Sequence, residues 1–151
     1  MARVDFYVLE SGPCDAADRF VCRLVGRVFA ASERLWIRVA DEAAAAALDE
    51  RLWTFDELSF IPHARPNDSV AGETPILIDP ATPGAYASGV ILNLAEDPVD
   101  TLPEGDTVRL LEVVFGDPPG RARGRERWAH YQAAGHTLNV HKINADGGAR
   151  A

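Results

Sequence analysis

Apolar positions along the chain fall into short runs separated by polar, glycine- and proline-bearing stretches. Val4-Asp5-Phe6-Tyr7-Val8-Leu9 is aromatic and β-branched and reads as a strand, broken by Ser11-Gly12-Pro13. Ala17, Phe20, Val21, Leu24 and Val28 then recur at helical spacing, which predicts an amphipathic helix. Leu35 to Ala40 is a second strand. Asp41 is placed to cap an alanine-rich helix from Glu42 to about Leu52. After a Pro- and Gly-spotted loop from Pro62 to Glu73, further strands are predicted at Pro75–Ile78, Gly89–Leu94 and Val108–Phe115. Gly116-Asp117-Pro118-Pro119-Gly120 stops the last of these. A helix follows from about Arg121 to Ala134, closed by Gly135 as its C′ residue, and Leu138–Val140 makes a last short strand. Several strands are continuous apolar runs, as expected of strands covered on both faces. The pattern predicts an α/β domain with a central, mostly parallel sheet and helices on both sides.

Composition narrows this picture without changing it. A chain of 151 residues suits one domain, here residues 1–143, with a Gly- and Ala-rich, flexible tail at 144–151. Charged residues make up 25%, so wholesale disorder is not expected. The apolar runs fall far short of the ~20 residues of a membrane span. Asp5 interrupts the stretch where a signal peptide is uniformly apolar, which leads us to expect a soluble, cytoplasmic protein. A net charge of −8 disfavours a protein whose whole surface grips nucleic acid. Cys14, expected in a loop, and Cys22, in a helix, match no zinc or redox spacing and read as reduced thiols.

Familiar catalytic signatures are missing. The turn after the first strand, Glu10-Ser11-Gly12-Pro13-Cys14, lacks Gly-x-Gly-x-x-Gly, and the chain contains neither a phosphate-binding Gly-Lys-Ser/Thr nor a Gly-x-Ser-x-Gly elbow. His130, His136 and His141 are spaced unlike metal ligands, and Asp5, Asp15 and Asp18 read as caps or surface groups. We therefore expect no metal and no cofactor. The alternative, a small α/β enzyme acting on a nucleotide or phosphate substrate, requires convergent polar groups at the C-terminal ends of the strands.

Two constellations stand out. Trp53, Phe55 and Phe60 fall at a helix end and in the loop after it, next to Pro62 and His63. Loops run over surfaces, so part of this patch suits docking of a partner, while Trp53 and Phe55 can equally fold back as core plugs. The second is Arg121-Ala122-Arg123-Gly124-Arg125-Glu126-Arg127-Trp128, with its arginines expected in the first two helical turns. The helix dipole disfavours cations there. Arg121, Arg125 and Trp128 share one face at i, i+4 and i+7, where guanidinium groups beside an indole suit a carboxylate together with an aromatic ring. A solvated basic face is the plainer alternative. From Gly116 to Lys142 there are five basic residues against two acidic ones, so this stretch is positive on an acidic body.

With the opening Val-Asp-Phe-Tyr-Val-Leu, these stretches resemble the chi subunit of bacterial DNA polymerase III holoenzyme from Val4 to about Lys142. The most specific parts are Leu48-Asp49, Leu52-Trp53, Ser59-Phe60-Ile61-Pro62-His63, Gly89-Val90-Ile91-Leu92-Asn93-Leu94, and Arg125-Glu126-Arg127-Trp128 with Tyr131 and Gly135. The resemblance implies a three-layer α/β/α sandwich with a Rossmann-like sheet. It also implies a non-catalytic adaptor of the clamp-loader complex that meets DNA only indirectly. Its partners would be the psi subunit and the acidic C-terminal tail of single-stranded DNA-binding protein, a run of aspartates ending in an aromatic residue with a free carboxylate. Carried over by residue, the tail site is Arg121, Arg125, Trp128 and Gly135, with Val114 and Phe115 as pocket wall. The psi-facing patch, which a helicase could use instead, is Trp53, Phe60, Pro62 and His63.

Overall fold

The computed structural model describes residues 3–10, 14–31, 34–54, 76–79, 89–99 and 109–143. In chain order these form β1 (Arg3–Leu9), α1 (Cys14–Ala30), β2 (Leu35–Arg38), α2 (Glu42–Thr54), β3 (Ile76–Asp79), β4 (Val90–Asn93), β5 (Arg109–Val114), α3 (Pro118–Ala133) and β6 (Thr137–Ile143). The strands make one sheet in the order β3-β2-β4-β5-β1-β6, with every pairing parallel. Parallel strands need crossover connections: α2 joins the neighbours β2 and β3, α1 crosses from β1 to β2 past β5 and β4, and α3 from β5 to β6 past β1.

Alternation along the strands builds two cores. Tyr7, Leu9, Leu35, Ile37, Leu92, Leu111 and Val113 face α1 and α2, where they pack with Phe20, Leu24, Val25, Leu48 and Leu52. Val4, Phe6, Ile91, Leu110 and Val114 face the other way, towards Trp128 and Tyr131 of α3. Helices thus cover both faces of a parallel sheet, the three-layer arrangement expected, and the apolar runs of β4 and β5 follow from it. Cys14 departs from expectation: its backbone opens α1 rather than lying in a loop. Cys22 is a buried thiol.

The start of α3 also differs. Asp117 is its N-cap, its carboxylate accepting from Gly120 N at 3.4 Å, and Pro118 fills the first helical position. Proline suits that position because the N–H it lacks would have no partner in the helix. A Cβ on Gly120 would lie 2.6 Å from Asp117 Oδ1 and 2.7 Å from the Phe115 carbonyl, so this tight cap admits only glycine. The residues read as a strand stop therefore also begin the helix. Arg121 stands fourth in α3, and the arginines lie beyond the first turn, where the dipole penalty is felt most. At the other end Gly135 adopts φ +85°. Gly135 N donates to Gln132 O at 3.1 Å and His136 N to Tyr131 O at 3.2 Å, a Schellman closure.

Candidate functional site

α3 runs back along the sheet, antiparallel to the strands. Arg121 lies just past the end of β5, Gly124 sits on Val114, and Trp128 meets Phe6 edge to face with ring centroids 5.1 Å apart. A Cβ on Gly124 would come within 2.7 Å of Val114 Cγ1, so this glycine sets how closely α3 approaches β5. Beside that contact a groove of about 460 Å³ opens between α3 and the outer strands β1 and β6. Its floor is Phe6, Val8 and Val114; Gly124 and Trp128 form the helix wall, and Val140 the far side. Among the described residues, the charged groups that line it are Arg121 and Arg125 from α3, Lys142 from β6 and Glu10 at the end of β1. Val140 is 49% exposed, the one large apolar side chain among the described residues to be so exposed.

Of the residues expected to bind an acidic tail, Arg121, Arg125, Trp128 and Val114 meet in this groove. Phe115 and Gly135 do not. Strand alternation turns Phe115 to the opposite face of the sheet, where it packs on the α1/α2 core and lines a smaller hollow with Val21, Leu48 and Leu94. Gly135 lies beyond the last turn of α3, and its role is to close the helix. Sequence reasoning missed Lys142 and Val140. The predicted last strand ended at Val140, whereas β6 runs to Ile143 and its alternation puts Val140 and Lys142 on the groove side. Phe60, Pro62 and His63, together with the side chain of Trp53, lie outside the described residues.

The opposite flank of α3 is closed by a buried polar network. Glu112 of β5 is fully buried and accepts from Arg127 Nε at 2.9 Å, Asn93 Nδ2 at 2.9 Å and the Tyr131 hydroxyl. Tyr131 in turn accepts from Val99 N at 2.9 Å, and Arg127 donates to the Glu96 and Val113 carbonyls. Arg38 reaches the same cluster, bonding Asn93 Oδ1 at 3.1 Å and Asp97 Oδ2 at 2.7 Å. Burial pushes the Glu112 carboxyl up to about 7, against the opposing pull of Arg127. Burial and the neighbouring Glu112 push the Tyr131 hydroxyl well above its usual range. Arg123 lies 3.7 Å from Glu96. Two of the four arginines are thus drawn to this flank.

On the other face of the sheet, buried Asp5 holds β1, β5 and β6 together. It pairs with Arg109 Nε at 2.8 Å, Arg3 Nε at 3.3 Å and His141 Nε2 at 3.1 Å. These partners hold its carboxyl below the usual range, although burial alone would raise it. The three histidines are dispersed: His141 stacks on Tyr7, while His130 and His136 flank Tyr131. Among the described residues no three potential metal ligands converge, and no helix is long and apolar enough to cross a membrane. The groove lies at the strands' C-terminal ends, where an enzyme of this class would work. Among the described residues its lining holds no Ser, Thr, Cys or His, and its acid–base groups are Glu10 and Lys142.

A family model, "DNA polymerase III chi subunit, HolC", matches residues 1–139. Curated relatives include DNA polymerase III subunit chi of Pseudomonas aeruginosa, 29% identical over 95% of this chain and 98% of that protein. The Escherichia coli protein of the same name is 25% identical over 93% of this chain and 97% of its own length. The Haemophilus influenzae one is 23% identical over 91% and 95%. The chain therefore belongs to the family of DNA polymerase III chi subunits, accessory and non-catalytic components of a replicative polymerase.

Proposed function

We propose that this chain is an adaptor of the clamp-loader complex, capturing the acidic C-terminal tail of single-stranded DNA-binding protein in the α3/β6 groove. The supporting observation is the distribution of chemistry in that groove. Phe6, Trp128 and Val140 make an apolar seat at one end, and Arg125, Lys142 and Arg121 stand along the rest. A peptide ending in an aromatic residue with a free carboxylate, preceded by aspartates, needs those two environments side by side. DNA is met indirectly, which suits an acidic chain. The psi subunit, or a helicase using the same surface, would dock on Trp53, Phe60, Pro62 and His63. A replication adaptor of this kind works in the cytoplasm beside the chromosome.

Calorimetric titration with an acidic peptide ending in Asp-Ile-Pro-Phe tests the tail site. Binding is expected to weaken as salt rises, because exposed ion pairs are screened. A Trp128→Ala, Arg125→Ala double variant is expected to lose it; undiminished binding by that variant would falsify the assignment. Pull-down with and without Trp53→Ala and His63→Ala tests the second patch, and equal recovery of psi or helicase would remove it.

A further inference from the structure

We propose that Glu10 is a specificity-determining residue of the groove, confining the acidic run of a bound peptide to the α3 side as it leaves over the strand ends. This rests on the tail-binding reading above and adds a direction to it.

Strand register and helix rise divide the groove into levels. Phe6 pairs with Val140, and Trp128 contacts Phe6, so the apolar seat is one level. Val8 pairs with Lys142, about 7 Å farther along the strands at ~3.3 Å per residue. Arg125 stands about 4.5 Å back along α3 from Trp128 at ~1.5 Å per residue, which brings it close to that second level. Arg121 is one helical turn beyond Arg125, and Glu10 is two residues beyond Val8, so both stand at the third level. Glu10 is fixed there by the backbone, its N–H donating to Ile143 O at 3.1 Å, which continues the β1–β6 pairing past Leu9.

A terminal ring in the apolar seat puts the terminal carboxylate at the second level, between two cations. The preceding aspartates must then leave through the third level, where the two walls carry opposite charge. Arg121 draws them along the helix, and half-buried Glu10 repels them from the strands. A carboxylate within about 6–8 Å of another is worth roughly threefold in affinity at a water-like dielectric. Every peptide with this ending carries the terminal carboxylate, so Glu10 discriminates between peptides by the charge that precedes it.

The test titrates the intact chain and Glu10→Gln at low salt with two peptides. One ends in Asp-Asp-Asp-Ile-Pro-Phe and the other in Asn-Asn-Asp-Ile-Pro-Phe. Glu10→Gln is expected to gain about threefold more affinity for the first peptide than for the second, with the difference vanishing in high salt. Glu10→Lys should enlarge the gain. Glu10→Asp should match the wild type with both peptides, as a purely structural role would not require. Equal changes with both peptides, or no change with either, overturn the role of Glu10 while leaving the tail site standing. A wild-type chain that binds neither peptide overturns both.

Discussion

α3 carries the same residue types on its two flanks, with opposite outcomes. Arg123, Arg127 and Tyr131 lie on one side and Arg121, Arg125 and Trp128 on the other, each set one helical turn apart. What separates them is the sheet beneath. Under the first flank β5 and β4 present Glu112 and Asn93, so Arg127 is 4% exposed and fully engaged. Under the second, β1 and β6 present Phe6, Val8 and Val140 to Arg125, and the carboxylate that lines this groove, Glu10, stands at its far end level with Arg121. The acid beneath the helix makes one arginine a structural member. Its absence leaves the other available to a ligand.

The sharpest way to break that contrast is to remove the acid. Glu112→Ala orphans three buried donors, on Arg127, Asn93 and Tyr131, each costing about 1–3 kcal/mol unmade. A total loss of about 3–5 kcal/mol is expected in urea unfolding. Replacing Glu112 and Arg127 together by Leu and Met should recover much of it, because a well-packed apolar pair avoids the desolvation cost.

The same carboxyl gives the closed flank a pH signature. Its folded pKa of about 7 lies above the ordinary 4.5, so the folded state binds the proton more tightly. Its contribution is complete below about pH 4.5 and is lost as pH rises through about 7. Stability of the wild type relative to Glu112→Gln should therefore fall across that window, by at most about 1.4 kcal/mol per pH unit. His136, whose pKa burial lowers, contributes with the opposite sign up to about 6.5, but it is present in both chains and cancels. A flat difference between the two chains would show that Glu112 stays ionised beside Arg127.

Gly124→Ala tests the boundary between the flanks. The added methyl meets both Val114 methyls at 2.7 and 2.8 Å, pushing α3 off β5. Overpacking costs about 1–3 kcal/mol, and better helix propensity returns up to about 1. A net loss of about 1–2 kcal/mol in thermal unfolding is expected, relieved by a second change, Val114→Ala.

Much of this architecture was legible in the chain because both faces of the sheet are covered. The runs at Val90–Asn93 and Arg109–Val114 announce buried parallel strands, and helical spacing announced α1. Half of the arginine face was legible too, since Arg121, Arg125 and Trp128 do share a groove. Arg127 looked no different from Arg125 in sequence. Its fate depends on Glu112, a polar residue in an apolar strand, fifteen positions away. Phe115 was misplaced for a similar reason: being next to Val114 in sequence means facing the opposite side of a strand. Lys142 was missed because the strength of β6 comes from pairing along β1 rather than from its own apolar content.

The smallest expected effect on stability is the most telling for function. Arg125 is exposed and sits over an apolar floor, so Arg125→Ala should alter folding stability by no more than about 0.5 kcal/mol. The same substitution removes a charged donor from the second level of the groove. It should weaken the acidic peptide about tenfold, the equivalent of about 1.4 kcal/mol. Arg127→Ala is its mirror image: a large stability loss, with affinity changed only as far as α3 itself shifts. Measured side by side, by urea unfolding and by titration, the two variants should fall on opposite axes. If Arg125→Ala lowers stability as much as Arg127→Ala, the groove is a structural seam. If it leaves peptide affinity unchanged, the cations that matter lie elsewhere, with Lys142 the first to examine.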